Sequence, residues 1–538
     1  MLVLQGKSVL GNIAMGTLQI YHHKKQTILP EKIQDVEGEI KRFHKAQEKA
    51  VESLKSLYEK AKMAVGENDA AIFEAQQLML TDPDYTDTVE GFIKKEKNNA
   101  QTAVKAAALS FENIFACMED PVMKARALDV KDISQQIIRM LTSEENTLTT
   151  GEKVIICADE LTPSETMALD KSKVLGFVTS QGSLTSHTAI LAKTLGIPAI
   201  VGVGYDFSSA SQGQKVIVDG LTGTVYLDPD EETIKEMQEK REKNKAAQAA
   251  LQAVKGQPSI SHAGQRMPVY ANISYPGDLA HALANDAEGI GLFRSEFLYL
   301  ERNTYPTEEE QFAAYKSVLI GAKDKKVIIR TMDIGADKQM DYFQIPKEGN
   351  PAMGFRAIRV CLARPEMFKT QLRALLRASV YGKLSIMFPM IISLEELKQS
   401  KDYVEEAKEE LRAEGKAFAS NVRIGIMVET PAAALISDLL AKEVDFFSIG
   451  TNDLLQYTLA LDRQNAQMEK LVDTHHPAVL QLMKMTVENA HKAKIICGIC
   501  GEMGADTTLT ATYLQWGVDE VSVTPGAVLA VRKKIREL

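Results

Sequence analysis

The run Thr185-Ser186-His187-Thr188-Ala189-Ile190 places a histidine after the glycine-containing turn Ser180-Gln181-Gly182-Ser183. It also stands at the head of an apolar helical pattern, Ile190, Leu191 and Leu195. A helix N-terminus offers unpaired N–H groups and the positive end of its dipole, a setting that suits a phosphoryl group. A neutral imidazole there can accept a phosphoryl group covalently and hand it on. Taken alone, His187 is better read as a partly exposed cap neighbour with no chemistry. The second half of the chain overturns that reading.

There, chemically capable side chains recur at the ends of predicted strands: Arg294-Ser295-Glu296, Arg330-Thr331-Met332-Asp333, Glu429-Thr430, Thr451-Asn452-Asp453 and Cys500-Gly501-Glu502. One Arg or Glu at a strand end usually makes a rim salt bridge; five such ends are hard to assign to coincidence. Arg294, Arg330 and Arg463 are planar, permanently charged forks suited to phosphate and carboxylate oxygens. Glu429 and Asp453 are hard oxygen donors suited to Mg²⁺ completed by substrate oxygens. Asn452 can hydrogen-bond a phosphoryl oxygen. Together they describe a site for a small phosphorylated acid carrying two negative charges, with charge on the transferred group stabilised by arginines and metal. Cys497-Gly498-Ile499-Cys500 has no second CxxC or His pair, which argues against structural zinc. Cys500 at the strand tip could donate a proton to carbon, whereas Cys497 reads as buried filler.

The elements that must position these residues follow from periodicity. Eight strands are expected at Met267–Ser274, Gly289–Ser295, Lys326–Ile334, Leu384–Met390, Val422–Glu429, Asp445–Gly450, Lys494–Cys500 and Glu520–Val523. Helical patterns such as Glu308–Ile320 and Leu394–Ala413 separate them, which predicts a (β/α)8 barrel over 259–538, with a doubly wound open sheet as the alternative. Short β-rich runs alternating with helices predict an α/β domain from 1–30 and 142–228. An α-helical subdomain over 31–141, with Val36, Ile40, Phe43, Ala50, Leu54 and Leu57 at helical spacing, is inserted into it. The Glu-, Lys- and Ala-rich stretch 229–258 is expected to be a long, solvated helical linker.

Length and composition set the outer limits. A chain of 538 residues should hold several domains, and 45% hydrophobic with 25% charged residues is ordinary for a soluble globular protein. A net charge of -9 argues against a nucleic-acid binder, yet it would attract a small basic partner protein. No apolar run is long enough to span a bilayer, no signal peptide is read at the start, and five cysteines do not make a disulfide framework. A cytoplasmic location without membrane insertion is the expectation.

At this point the residues resemble enzyme I of the phosphoenolpyruvate-dependent sugar phosphotransferase system, over essentially the whole chain. The motifs that carry the resemblance begin with Leu161-Thr-Pro-Ser-Glu-Thr166, Thr185-Ser-His-Thr188, Gly289-Ile-Gly-Leu-Phe-Arg-Ser-Glu296, Arg330-Thr-Met-Asp-Ile-Gly335 and Gly354-Phe-Arg-Ala-Ile-Arg359. Gly425-Ile-Met-Val-Glu-Thr-Pro-Ala-Ala433, Phe446-Phe-Ser-Ile-Gly-Thr-Asn-Asp453 and Gly498-Ile-Cys-Gly-Glu502 continue them in the same order. The resemblance implies an α/β multidomain enzyme: a phosphohistidine domain, an inserted subdomain that docks the histidine phosphocarrier protein HPr, and a barrel that binds phosphoenolpyruvate and forms a homodimer. It implies that His187 is phosphorylated on Nε2 by phosphoenolpyruvate and then donates to HPr, with Thr166 as its hydrogen-bond partner. Arg294, Arg330, Asn452, Asp453 and Arg463 would bind substrate, with Lys338 and Arg356 as secondary phosphate contacts. Glu429 and Asp453 would hold Mg²⁺, and Cys500 would protonate the enolate of the departing pyruvate. Because His187 lies far along the chain from the barrel site, the linker is the natural hinge.

One departure stands out. The family usually reads Gly-Gly-Arg-Thr-Ser-His where this chain has Gly182-Ser183-Leu184-Thr185-Ser186-His187, so a cation beside the phosphorylation site is lost while the nucleophile remains. Leu455 and Gln464 replace the commoner Thr and Gly near the barrel site. A pyruvate phosphate dikinase or phosphoenolpyruvate synthase would need an ATP-binding domain, for which the chain has no glycine-rich loop and no room. A regulatory protein on an inactive scaffold is opposed by the intact His187, Glu429, Asp453 and Cys500.

Overall fold

In a computed structural model the chain divides into two compact units, Met1–Ala247 and Gln248–Leu538. All residues are described except 22–30, 66, 118–120, 143–152, 171–172, 185, 301, 337, 339–341, 347, 463–464, 466–467 and 469–471, together with the side chains of 64–65, 67–69, 116, 121–125, 187 and 194.

The first unit opens with strands β1 (Leu2–Gln5), β2 (Lys7–Ser8) and β3 (Ile13–Tyr21). Helices α1 (Val36–Val65), α2 (Glu67–Leu80), α3 (Pro83–Glu96), α4 (Ala100–Ala116) and α5 (Pro121–Thr142) intervene before β4 (Val154–Ala158). There follow α6 (Pro163–Met167), β5 (Val174–Thr179), α7 (His187–Leu195), β6 (Ala199–Val201), β7 (Lys215–Asp219), β8 (Thr224–Leu227) and α8 (Glu231–Ala253). The strands make one sheet in the order β1-β8-β7-β3-β4-β5-β6-β2. Its centre, β3 to β6, is parallel, and β4 is buried along its whole length, as a strand covered on both faces must be.

Local chemistry sets the helix starts. Asp82 caps α3 through Asp84 N at 2.8 Å with Pro83 at the first helical position, and Asn99 caps α4 through Thr102 N at 3.1 Å. The five inserted helices bury Phe43, Leu54, Phe73, Val89, Val104 and Ile133 in a core of their own, and Leu191 of α7 is buried in the same core. Polar contacts reinforce that join: Gln136 Nε2 donates to Ser164 Oγ at 2.9 Å, and Asp132 Oδ2 accepts from Ser164 N at 3.2 Å.

The expected linker forms one helix, but it is not solvated throughout. Met237 of α8 is only 4% exposed, packed with Ile13 and Ile217, and Lys240 Nζ reaches the buried Asp219 carboxylate at 2.5 Å. Met237 and the partly buried Ile234, one turn apart among Glu and Lys, seat the first turns of α8 on the sheet.

The second unit is a closed, all-parallel barrel of β9 (Val269–Ile273), β10 (Ile290–Phe293), β11 (Lys326–Arg330), β12 (Lys383–Phe388), β13 (Arg423–Val428), β14 (Phe446–Gly450), β15 (Ile496–Cys500) and β16 (Glu520–Val523), with β16 pairing back to β9. Closure decides for the barrel over the open sheet. Alternate residues face the lumen, where Leu292, Ile328, Met387, Met427, Phe446 and Cys500 pack together. Their neighbours Val327, Ile329, Ile386, Ile426, Phe447 and Ile499 face the surrounding helices in the main core. Strand β11 stops at Arg330, short of the expected Ile334, and the freed segment carries Asp333 to the barrel's end.

Candidate active site

At the C-terminal ends of the barrel strands lies a cavity of about 370 Å³ whose walls include Arg294, Glu296, Arg330, Asp333, Arg356 and Glu429. Lys338, Asn452, Asp453 and Cys500 also line it, so the structure gathers here every described barrel residue that the sequence suggested for substrate, metal or proton transfer. Arg463 and Gln464 lie outside the described residues.

Arg330 ends β11 on a lumen-facing position and is buried. Its Nη2 meets Glu296 Oε1 at 3.1 Å and its Nη1 meets Asp333 Oδ2 at 3.0 Å. Its Nε is buried without a hydrogen bond among the described residues, so a donor remains for a ligand. Burial disfavours the guanidinium charge, but Glu296, Asp333, Glu429 and Asp453 outweigh it and hold the group firmly protonated. Arg356 follows from the loop after β11: its Nη2 donates to Asp333 Oδ1 and Oδ2 at 2.8 and 2.9 Å, and its Nη1 donates to Tyr457 Oη at 3.1 Å. Burial would raise the Asp333 pKa, yet Arg330 and Arg356 together hold it below the usual carboxylate range. Arg294 Nη1 donates to Ser274 Oγ at 3.2 Å from the end of the neighbouring strand.

Glu429 directly follows β13 and is buried. Its Oε1 accepts from Met390 N at 2.7 Å, where the backbone of a non-glycine residue holds φ at 56°. Burial, then the Asp453 and Asp333 carboxylates, push its pKa up to about 8. Among the described residues no cluster of three or more His, Cys, Asp or Glu side chains could hold a metal by itself. Two carboxylates facing one polar cavity are nevertheless what Mg²⁺ takes from a protein when water and substrate oxygens complete its shell. A divalent cation would also replace the proton that burial now favours on Glu429. The donor set fits the ion.

Asn452, in the first turn of the helix Thr451–Leu459, accepts from Glu502 N at 3.0 Å through Oδ1. Cys500 ends β15 with its thiol in the lumen. Burial pushes its pKa up to about 11, with Glu429 adding to the rise and a Ser448 hydrogen bond opposing it, so the sulfur stays protonated at neutral pH.

In the first unit, His187 is the first residue of α7. Ser186 caps that helix, its Oγ accepting from Ala189 N at 3.3 Å, and Gly196 ends it at φ 71°. Of His187 only the backbone is described, and Thr185 lies outside the described residues. Thr166 is buried and spends its hydroxyl on Thr162 O at 2.9 Å. Leu184 is exposed.

Sequence reasoning noted Glu296 and Asp333 only as polar strand ends and gave them no role; they are the anchors of the arginines. A carboxylate three residues after Arg330 was the available signal. Tyr457 and Ser448 had none, since each sits inside an ordinary helix or strand pattern.

The chain matches three family profiles: the N-terminal domain of PEP-utilising enzymes over residues 5–126, their mobile domain over 150–223, and their PEP-binding domain over 248–538. A phosphoenolpyruvate-protein phosphotransferase of Listeria innocua is 43% identical over 508 residues, covering 94% of this chain and 89% of the relative. One of Staphylococcus aureus is 44% identical over 510 residues with the same coverage of both. Among solved structures, an NMR structure of an Enzyme I protein is 39% identical and covers 45% of this chain and 99% of that one, with a TM-score of 0.38.

Proposed function

This chain belongs to the PEP-utilising enzymes, and among them to the phosphoenolpyruvate-protein phosphotransferases; on that premise we propose how its own residues carry out the transfer. The enzyme takes the phosphoryl group of phosphoenolpyruvate onto His187, releases pyruvate, and passes the group to the phosphocarrier protein HPr. The observation that carries the assignment of residues is the cavity at the barrel's C-terminal end, where Arg294, Arg330 and Arg356, the Glu429 and Asp453 carboxyls, the Asn452 amide and the Cys500 thiol converge.

Arg294 and Arg330 bind the phosphoryl and carboxylate oxygens of phosphoenolpyruvate, and Arg330 Nε is the donor left over for them. Arg356, Lys338 and Arg463 add positive charge around the transferring group, and Asn452 hydrogen-bonds it. Glu429 and Asp453 would hold Mg²⁺, which would supply neutralising charge for the phosphoryl oxygens. The bond from the enol oxygen to phosphorus breaks as His187 Nε2 forms the new bond to phosphorus in line. The enolate left behind takes its proton at carbon from Cys500, whose raised pKa keeps that proton in place until a strong carbon base appears.

In-line transfer needs His187 within ~3–3.5 Å of the phosphorus. His187 belongs to the first unit and the cavity to the second, so catalysis requires them to meet and part. The hinge is the part of 229–258 beyond Lys240. Segments 1–30 and 142–228 act as the phosphohistidine domain, 31–141 as the HPr-docking subdomain, and 259–538 as the substrate-binding and homodimerising barrel. The enzyme works in the cytoplasm; among the described residues no helix is long and apolar enough to cross a membrane.

Incubation with phosphorus-labelled phosphoenolpyruvate, with and without HPr, tests the reading. Label should appear on the wild-type chain and move to HPr, and His187→Ala should take up none. Label retained by His187→Ala would place the nucleophile elsewhere.

A further inference from the structure

We propose that the opposite, N-terminal mouth of the barrel is a second binding site, one for a small dianion of the phosphate-monoester kind. A cavity of about 320 Å³ opens there, lined by Lys326, Lys383 and Arg423 with Ser385 and Asn421. Its size is at the lower end of small-molecule pockets. Lys326, Lys383 and Arg423 open β11, β12 and β13, and Lys326 and Lys383 are direct register partners on adjacent strands, as are Ser385 and Arg423.

Side chains at this end of a barrel ordinarily serve stability, and one pair does so. Lys326 Nζ is held by both Glu520 oxygens at 2.9 Å and lies over the Tyr270 and Phe446 rings. Lys383 and Arg423 do not share that role. Neither side chain has an ion-pair or hydrogen-bond partner among the described residues, although like charges brought together on adjacent strands disfavour the fold. Glu520 pairs with Lys326 and its field also reaches Arg423, but one carboxylate facing three cations leaves the mouth positive. Ser385 is 3% exposed and lines the cavity, and its hydroxyl has no hydrogen-bond partner among the described residues. A guanidinium fork, an ammonium, a buried hydroxyl and an amide around one small volume suit tetrahedral phosphate oxygens better than an extended acid.

Site-resolved lysine labelling tests this on the full chain. The protein is treated with an amine-acetylating reagent in inorganic phosphate, in succinate, or in sodium chloride of equal ionic strength. Acetylation at Lys383 and at Lys338 is then read by mass spectrometry. Phosphate should slow Lys383 acetylation about threefold or more relative to chloride, with succinate well behind. Arg423→Ala and Arg423→Gln should each raise the phosphate concentration for half-protection about tenfold. Lys338, in the other cavity, should respond to phosphate identically in all three proteins, which also reports an intact barrel. Lys383 labelling at the chloride rate, or protection that survives both variants, overturns the site. Equal protection by succinate overturns its assignment to phosphate chemistry.

Discussion

Asp333 is clamped by Arg356, whose Nη2 lies 2.8 and 2.9 Å from its two oxygens and whose Nε lies 3.1 Å from Oδ1. The same carboxylate takes Arg330 at 3.0 Å, so one buried acid fixes the positions of two cations that would otherwise repel each other across the cavity. Removing one member of a buried ion network typically costs ~3–5 kcal/mol, because the remaining charges lose their partner. Asp333→Asn should therefore lower the melting temperature of the barrel and raise KM for phosphoenolpyruvate about tenfold or more. KM should change more than kcat, since Asp333 positions the arginines and does not touch the substrate. Steady-state kinetics with calorimetry check this; an unchanged KM would remove Asp333 from the site.

Metal dependence should carry a proton signature. With the Glu429 pKa pushed up to about 8, a proton occupies the carboxyl below that pH and must leave when Mg²⁺ binds. Apparent Mg²⁺ affinity should rise with pH, up to about tenfold per unit, and level off above about 8. Glu429→Gln should weaken binding and flatten the profile. A chelator should stop turnover. Calorimetric titration in buffers of different ionisation enthalpy measures the released proton directly.

In the first unit, Asp132 offers a stability test. It is fully buried; Gln76 Nε2 and Ser164 N donate to its Oδ2, while its Oδ1 has no partner among the described residues. Burial, reinforced by Glu165, raises its pKa from 3.8 to about 6. A carboxyl raised on folding stabilises fully below its unfolded pKa, and that contribution is lost as pH rises through the folded value. Wild-type stability should thus fall between about pH 4 and 6 by up to ~3 kcal/mol from this group. Asp132→Asn should remove that slope and be the more stable protein at pH 7. Denaturant unfolding at several pH values reads the difference.

Docking of HPr can be probed on the exposed apolar side chains of the inserted helices, Leu78, Leu109 and Ile114, of which Leu78 is 69% exposed. Replacing each with Asp should leave self-phosphorylation intact and, for those at the interface, slow transfer to HPr about tenfold or more. Deleting the whole insertion would confuse the outcome, because Leu191 of α7 would lose the core that buries it.

Much of the barrel was legible because its strands are short, apolar, evenly spaced and tipped with polar groups. Arg294, Arg330, Glu429, Asn452, Asp453 and Cys500 could be read from those tips. What the chain concealed was pairing. An acid at a strand end looks the same whether it meets solvent or an arginine, so Glu296 gave no sign of its partner, and for Asp333 only its three-residue spacing from Arg330 hinted at one. Met237 hid in a polar helix for a related reason: a single pair with Ile234 makes no sustained periodicity, yet it suffices to seat the first turns of a helix. Lys383 and Arg423 drew no notice, because nothing in a linear string reveals that they share a cavity.

Leu191 sits one turn beyond His187 and is shared between α7 and the inserted helices. On the proposed assignment, the arm that would hold the phosphate and the platform that would greet its recipient are therefore one piece of cargo. Delivery can move that cargo as a whole, but it cannot separate the parcel from its loading dock.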